Sequence, residues 1–177
     1  VGFVRIGDLG DQRWPVVLVL PGKSREETLA WFAMARDHLA PGGTVVVAMP
    51  NTAGARRFEK LLAEAAGEVV SLQKHKCRAF HATAGDDFKP SVFDAWRAGL
   101  LPQDISETSF VAQAGTFSAN RIDPGSAFLA EHLPRTLQGT VADLGAGWGY
   151  LSDAILRRCP KVESLDLFEA DARAMTC

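Results

Sequence analysis

The chain has 177 residues, 47% hydrophobic and 23% charged, a balance that places it among folded globular proteins and excludes a disordered or low-complexity one. Its formal net charge of -2 excludes a global electrostatic footprint for nucleic acid, so any contact with RNA has to be local. The longest unbroken aliphatic run is Val16 to Leu20, far short of the roughly 18 residues a membrane span requires, and no signal-peptide pattern opens the chain. Three cysteines, Cys77, Cys159 and Cys177, make neither an even disulfide framework nor a C-x-x-C pair, which fits a reducing compartment. The expectation is a cytoplasmic protein that meets no membrane and needs no metal.

In chain order, the first predicted element is a strand over Val16–Leu20, followed by the Pro21-Gly22 turn. Ser24 with Glu27 forms a capping box for a helix carrying Leu29, Phe32, Ala33 and Leu39, which Pro41-Gly42-Gly43 is expected to end. A strand over Thr44–Ala48 comes next, then a helix from about Ala55 with Phe58, Leu61, Leu62 and Ala65 on one face. Two short strands near Glu68–Leu72 and Arg78–Thr83 complete a first block, residues 1–84. Residues 85–107 mix Asp, Pro and Ser around a short apolar helical run and read as a connection.

The second block, residues 108–177, opens with an extended segment around Ser109–Ala114. Asp123 as N-cap and Pro124 at the first helical position start a helix with Phe128, Leu129 and Leu133, which Pro134 ends. Strand Thr140–Leu144, a glycine turn, helix Tyr150–Arg158 and strand Val162–Phe168 then form a right-handed βαβ unit, with Leu151, Ala154 and Ile155 facing the sheet. The fold class is α/β.

The glycine turn is the strongest signal of chemistry. Gly145, Gly147 and Gly149 let the backbone turn sharply and admit a ligand against the main chain, beside the N-terminus of the following helix. A dinucleotide site would place its third glycine one position later, where this chain has Tyr150. Asp143 beside the turn would repel a pyrophosphate but suit the cationic sulfonium and ammonium of S-adenosylmethionine. Glu169, twenty positions past Gly149 at the end of the next strand, suits the two ribose hydroxyls. Its rival Asp166 lies inside that strand and is less well placed.

The segments VADLGAGWGYLS and LDLFEAD resemble the first motif, and the acidic loop after the second strand, of class I S-adenosylmethionine-dependent methyltransferases. The preceding GTFSANRIDPGSAFLAEHLP is similar to the corresponding segment of bacterial ribosomal RNA guanine-N2 methyltransferases, in which a degenerate methyltransferase-like domain precedes the catalytic one. The resemblance is strong from Gly115 to Met175 and weaker from Trp14 to Ala84. It implies a Rossmann-like methyltransferase fold and S-adenosylmethionine as cofactor. It further implies ribosomal RNA or the small ribosomal subunit as partner, and methyl transfer to the exocyclic N2 of a guanine. It also places Phe117 over the cofactor, although an aromatic in a loop reads equally as core. The block order suggests the back half of a pseudo-domain followed by the front half of a catalytic domain, hence a fragment inactive by itself. The rival arrangement is a permuted single domain whose halves share one sheet.

That family's catalytic Asn-Pro-Pro-Phe motif does not occur in this chain, and the strand Val16–Leu20 ends instead in Pro21-Gly22-Lys23. No catalytic residue is therefore assigned. The competing function classes are a non-catalytic nucleic-acid-binding protein and a small-molecule or protein methyltransferase. Trp148 reads as packing. His75, Cys77 and His81 share one parity of an extended segment but lack a fourth metal ligand. Two basic clusters, Arg56, Arg57, Lys60 and Lys74, Lys76, Arg78, suit either an RNA backbone or plain solvent.

Overall fold

A computed structural model describes residues 9–177 and divides after Leu100 into two compact units. The first eight positions of the first predicted domain lie outside the described residues. In the first unit the elements run β1 (Trp14–Val19), α1 (Arg25–Asp37), β2 (Leu39–Pro50), α2 (Ala55–Ala66), β3 (Val70–Lys74), β4 (Cys77–Thr83) and α3 (Pro90–Arg97). Their strands form one sheet in the order β1-β2-β4-β3, parallel between β1 and β2 and antiparallel elsewhere.

Alternation in β2 buries Val45, Val47 and Met49 on one face, and the register sets Val17 opposite Val45 and Phe80 opposite Val47. Phe32 of α1 meets Phe58 of α2 and Phe80 of β4 edge-on, at centroid separations of 6.3 and 6.4 Å. These rings, with Leu62 and Phe93, form the centre of the first core. The opposite face of the sheet leaves Leu18 and Leu72 exposed.

The start of α1 follows its sequence signal: the Ser24 hydroxyl accepts the Glu27 amide at 3.3 Å. Its end does not. The helix stops at Asp37, with His38 as its C-cap, and Leu39 already pairs with Trp14. Pro41-Gly42-Gly43 forms instead a break in register within β2. Gly43 is required there, because a Cβ would lie 2.8 Å from the Ala40 carbonyl oxygen and 3.0 Å from that of Trp14.

Residues 85–100, read from the sequence as the first part of a connection, pack with the first unit. Phe93 of α3 is buried, stacked on Phe88 and edge-on to Trp96. Arg97 grips Asp37 of α1 through Nε at 2.9 Å and Nη2 at 2.6 Å. Val92, Phe93 and Trp96 supply the apolar stripe of a short amphipathic helix, which the surrounding Asp, Pro and Ser obscure in the sequence.

In the second unit β5 (Gln103–Asp104) pairs antiparallel with β6 (Val111–Ala112), and α4 (Pro124–His132) precedes β7 (Gln138–Leu144), α5 (Tyr150–Arg158) and β8 (Lys161–Phe168). Asp123 caps α4 by accepting the Ser126 amide at 2.8 Å. β7 and β8 are parallel, with Val141 opposite Leu165 and Leu144 opposite Phe168. Against the expected inward set, Ile155 and Ser152 are the buried residues of α5, while Leu151 and Ala154 are half-buried. The small core gathers Ile105, Ala112 and Trp148, so Trp148 is packing, as its sequence context suggests. The α/β class holds. The strands of the two units lie in separate sheets.

Candidate cofactor site

β7 ends at Leu144 and the turn begins at once. Gly145, Gly147 and Gly149 take φ values of +79°, +55° and +95°, the left-handed region that side-chain-bearing residues rarely occupy. Nothing lies within 4 Å of where a Cβ would stand at Gly145 or Gly147, so the backbone there is open to close approach. Gly149 is the N-cap of α5.

The turn is tied down at the end of β8. The Phe168 carbonyl accepts the amides of Gly145 at 2.7 Å and Ala146 at 3.1 Å. The Gly147 amide donates to Glu169 Oε2 at 2.7 Å, and the Gly149 amide to the Ala146 carbonyl at 3.0 Å. The other Glu169 oxygen, Oε1, accepts the Asp171 amide at 2.8 Å. The Asp171 and Gly147 amides together hold the Glu169 carboxyl below the usual carboxylate range.

This geometry bears on the choice of cofactor differently from the sequence argument. Asp143, expected beside the ligand, is buried and its Oδ2 accepts the Ser152 hydroxyl at 2.7 Å, binding the strand end to the first turn of α5. The carboxylate that faces the glycine backbone is Glu169. A phosphate approaching the Gly147 amide would have to displace an ionised carboxylate of its own sign. A sugar hydroxyl can instead donate to the remaining lone pairs of Glu169, since each carboxylate oxygen accepts more than one hydrogen bond. The rival carboxylate, Asp166, is exposed within β8, opposite Ala142.

Phe117 is 67% exposed, so it is not core. The chain on either side fixes it outward. Thr116 is buried, with its amide and hydroxyl both donating to the Gln113 carbonyl, at 3.1 and 2.8 Å. Ser118 stands at φ +51°, its hydroxyl donating to the Arg121 carbonyl at 2.7 Å. Phe117, Ser118 and Asp123 line a small cleft together with Gly145, Gly147 and Tyr150. Ser152, Thr116, Asp171 and Arg173 escaped the sequence reading. Their signals are local polar residues at strand ends and turns, too common to single out.

Elsewhere the sequence candidates disperse. Among the described residues no group of three or more His, Cys, Asp and Glu is placed to hold a metal ion, so His75, Cys77 and His81 do not form one. Arg78 is bound to Glu59, Ser71 and Gln73, whereas Arg56, Arg57, Lys74 and Lys76 are exposed. Among the described residues no helix is long and apolar enough to cross a membrane.

Residues 107–177 match the methyltransferase small domain family. This part of the chain is similar to that family. The matched stretch begins just before β6 and includes the glycine turn and Glu169. Similar curated proteins are named ribosomal RNA small subunit methyltransferase C. That of Shewanella amazonensis is 31% identical over 93% of this chain and 48% of its own length, and that of Psychromonas ingrahamii 26% identical over 94% and 48%. The chain thus spans about half the length of the curated relatives it matches. Among solved structures, the 16S rRNA N2 G1207 methyltransferase of T. thermophilus, in complex with AdoMet and guanosine, superposes with a TM-score of 0.71 at 23% identity, covering 94% of this chain and 46% of that one. That likeness establishes the Rossmann-like methyltransferase fold.

Proposed function

We propose that the chain belongs to an S-adenosylmethionine-dependent methyltransferase that acts on the exocyclic N2 of a guanine in ribosomal RNA, within the cytoplasm. The observation that carries the cofactor assignment is the left-handed glycine turn with Glu169 bonded to the Gly147 amide. Gly145, Gly147 and Gly149 would admit the cofactor against the backbone, Glu169 would receive its ribose hydroxyls, and Phe117 would cover it. Asp143 contributes by holding the strand end to α5 through Ser152, fixing the turn from beneath.

When bound, S-adenosylmethionine supplies an electrophilic methyl group on a sulfonium. This chain's own residues supply binding and orientation, the larger part of catalysis when a good electrophile is already present. The substrate assignment rests on the relatives' names and on the sequence likeness around Gly115–Pro134. In this reading the first unit, in whose described residues no glycine turn of this kind occurs, is the degenerate methyltransferase-like partner of the catalytic domain.

The test is transfer of labelled methyl from S-adenosylmethionine to small ribosomal subunits lacking the modification, by this chain alone and within a polypeptide of its relatives' full length. Label on guanine N2 with the longer polypeptide and none with the short chain is the expected result. Label on protein, on small molecules or nowhere would overturn the substrate assignment.

A further inference from the structure

The two loops that flank the candidate cofactor site are joined by a polar relay. Arg173 holds Asp171 in a two-pronged ion pair, Nε to Oδ1 at 2.9 Å and Nη2 to Oδ2 at 2.7 Å. Its third nitrogen, Nη1, donates to the Ala114 carbonyl at 3.3 Å. Ala114 belongs to the turn Gln113–Thr116, in which Gly115 stands at φ +94°, as the third residue of a type II turn requires. Phe117 follows that turn directly. On the other side, the Asp171 amide donates to Glu169, and Glu169 receives the Gly147 amide.

We propose that Arg173 is a positioning residue that couples the Phe117 loop to the Glu169 turn, so that the two sides of the site are set as one unit. The proposal rests on the cofactor reading for its function and on the hydrogen bonds alone for its mechanics. Arginine suits the task because its rigid fork engages a carboxylate with two nitrogens and still has a donor for a carbonyl, a combination that lysine cannot supply. The Arg173 fork also holds the Asp171 carboxyl below the usual range, which extends the charged pair further into acid. Loss of Arg173 would free the Ala114 carbonyl and let the Phe117 loop move independently of the glycine turn.

The mechanics are tested without any cofactor, by amide hydrogen exchange of the ligand-free chain. Arg173→Gln should speed exchange at Thr116 by roughly tenfold, about what one charge-assisted hydrogen bond is worth, with a smaller rise at Gly147. Val141 and Leu165 in the β7–β8 pair should keep their protection. Asp171→Asn should reproduce the effect, Arg173→Lys should give part of it, and combining Arg173→Gln with Asp171→Asn should add little. Unchanged exchange at Thr116, or equal acceleration through β7 and β8, would overturn the coupling.

Titration with S-adenosylhomocysteine then reads the functional half. Arg173→Gln should weaken binding several-fold in the native chain and hardly at all when Phe117→Ala is already present. Additive losses would overturn the proposal. No binding by the native chain would sink the cofactor reading while leaving the exchange result to decide the coupling.

Discussion

The two units are stabilised differently. The first has a continuous core of rings and aliphatic side chains, in which Phe32, Phe58, Phe80 and Phe93 are almost wholly buried. The second gathers a small cluster around Ile105, Ala112 and Trp148 and instead concentrates left-handed glycines and side-chain-to-backbone hydrogen bonds around one turn. The contrast teaches where each kind of interaction is useful. Apolar burial is strong and non-directional and builds a scaffold, whereas hydrogen bonds to backbone fix a particular loop shape at modest net energy.

The largest effect should come from opening the first core. Phe32→Ala removes a ring that contacts both Phe58 and Phe80, and should destabilise the first unit by about 3–5 kcal/mol, measured by denaturant-dependent exchange at Val45 and Val47. A loss below ~1 kcal/mol would mean that the ring cluster relaxes into the space and that the contrast between the units is overstated.

A smaller effect is expected at the turn. Gly147→Ala meets no steric neighbour, so its cost should be only that of forcing a side-chain-bearing residue to φ +55°, about 1–2 kcal/mol on folding of the second unit. Loss of cofactor affinity should exceed what this stability change explains, because the methyl group would stand in the open space above the turn. Unaltered affinity would move the ligand away from Gly147.

The smallest effect concerns pH. Glu169 and Asp171 both have lowered carboxyl pKa values in the folded state, so their contribution is complete above the unfolded carboxylate range and is lost as pH falls through the lower folded values. Exchange at the Gly147 amide should therefore stay protected from neutrality down to about pH 4 and lose protection only below it, once the intrinsic pH dependence is removed. Loss of protection between pH 7 and 5 would point to a different partner for that amide.

Local patterns in the sequence carried much of this fold. Ser24 and Asp123 mark two helix starts because an N-cap hydroxyl or carboxylate acts within three residues, and the structure places both as caps. The three glycines are legible for the same reason, since each answers to its own backbone angle. What the sequence concealed depends on contacts distant along the chain. The break at Pro41–Gly43 arises from pairing of Leu39 with Trp14, and α3 belongs to the first unit through Phe93 and the Arg97–Asp37 pair. Asp143 illustrates the limit most clearly. Its position beside the glycine turn was readable, but which way the carboxylate faces was set by Ser152, nine residues on.

The central claim is that the glycine turn takes S-adenosylmethionine and not a dinucleotide, and calorimetric titration of this chain with S-adenosylmethionine and with NAD tests it most directly. The account predicts binding of S-adenosylmethionine, no comparable heat with NAD, and a loss of roughly ten- to hundredfold in affinity for Glu169→Ala, the range for a charge-assisted hydrogen bond. Tighter binding of NAD, or an unchanged dissociation constant for Glu169→Ala, would contradict it.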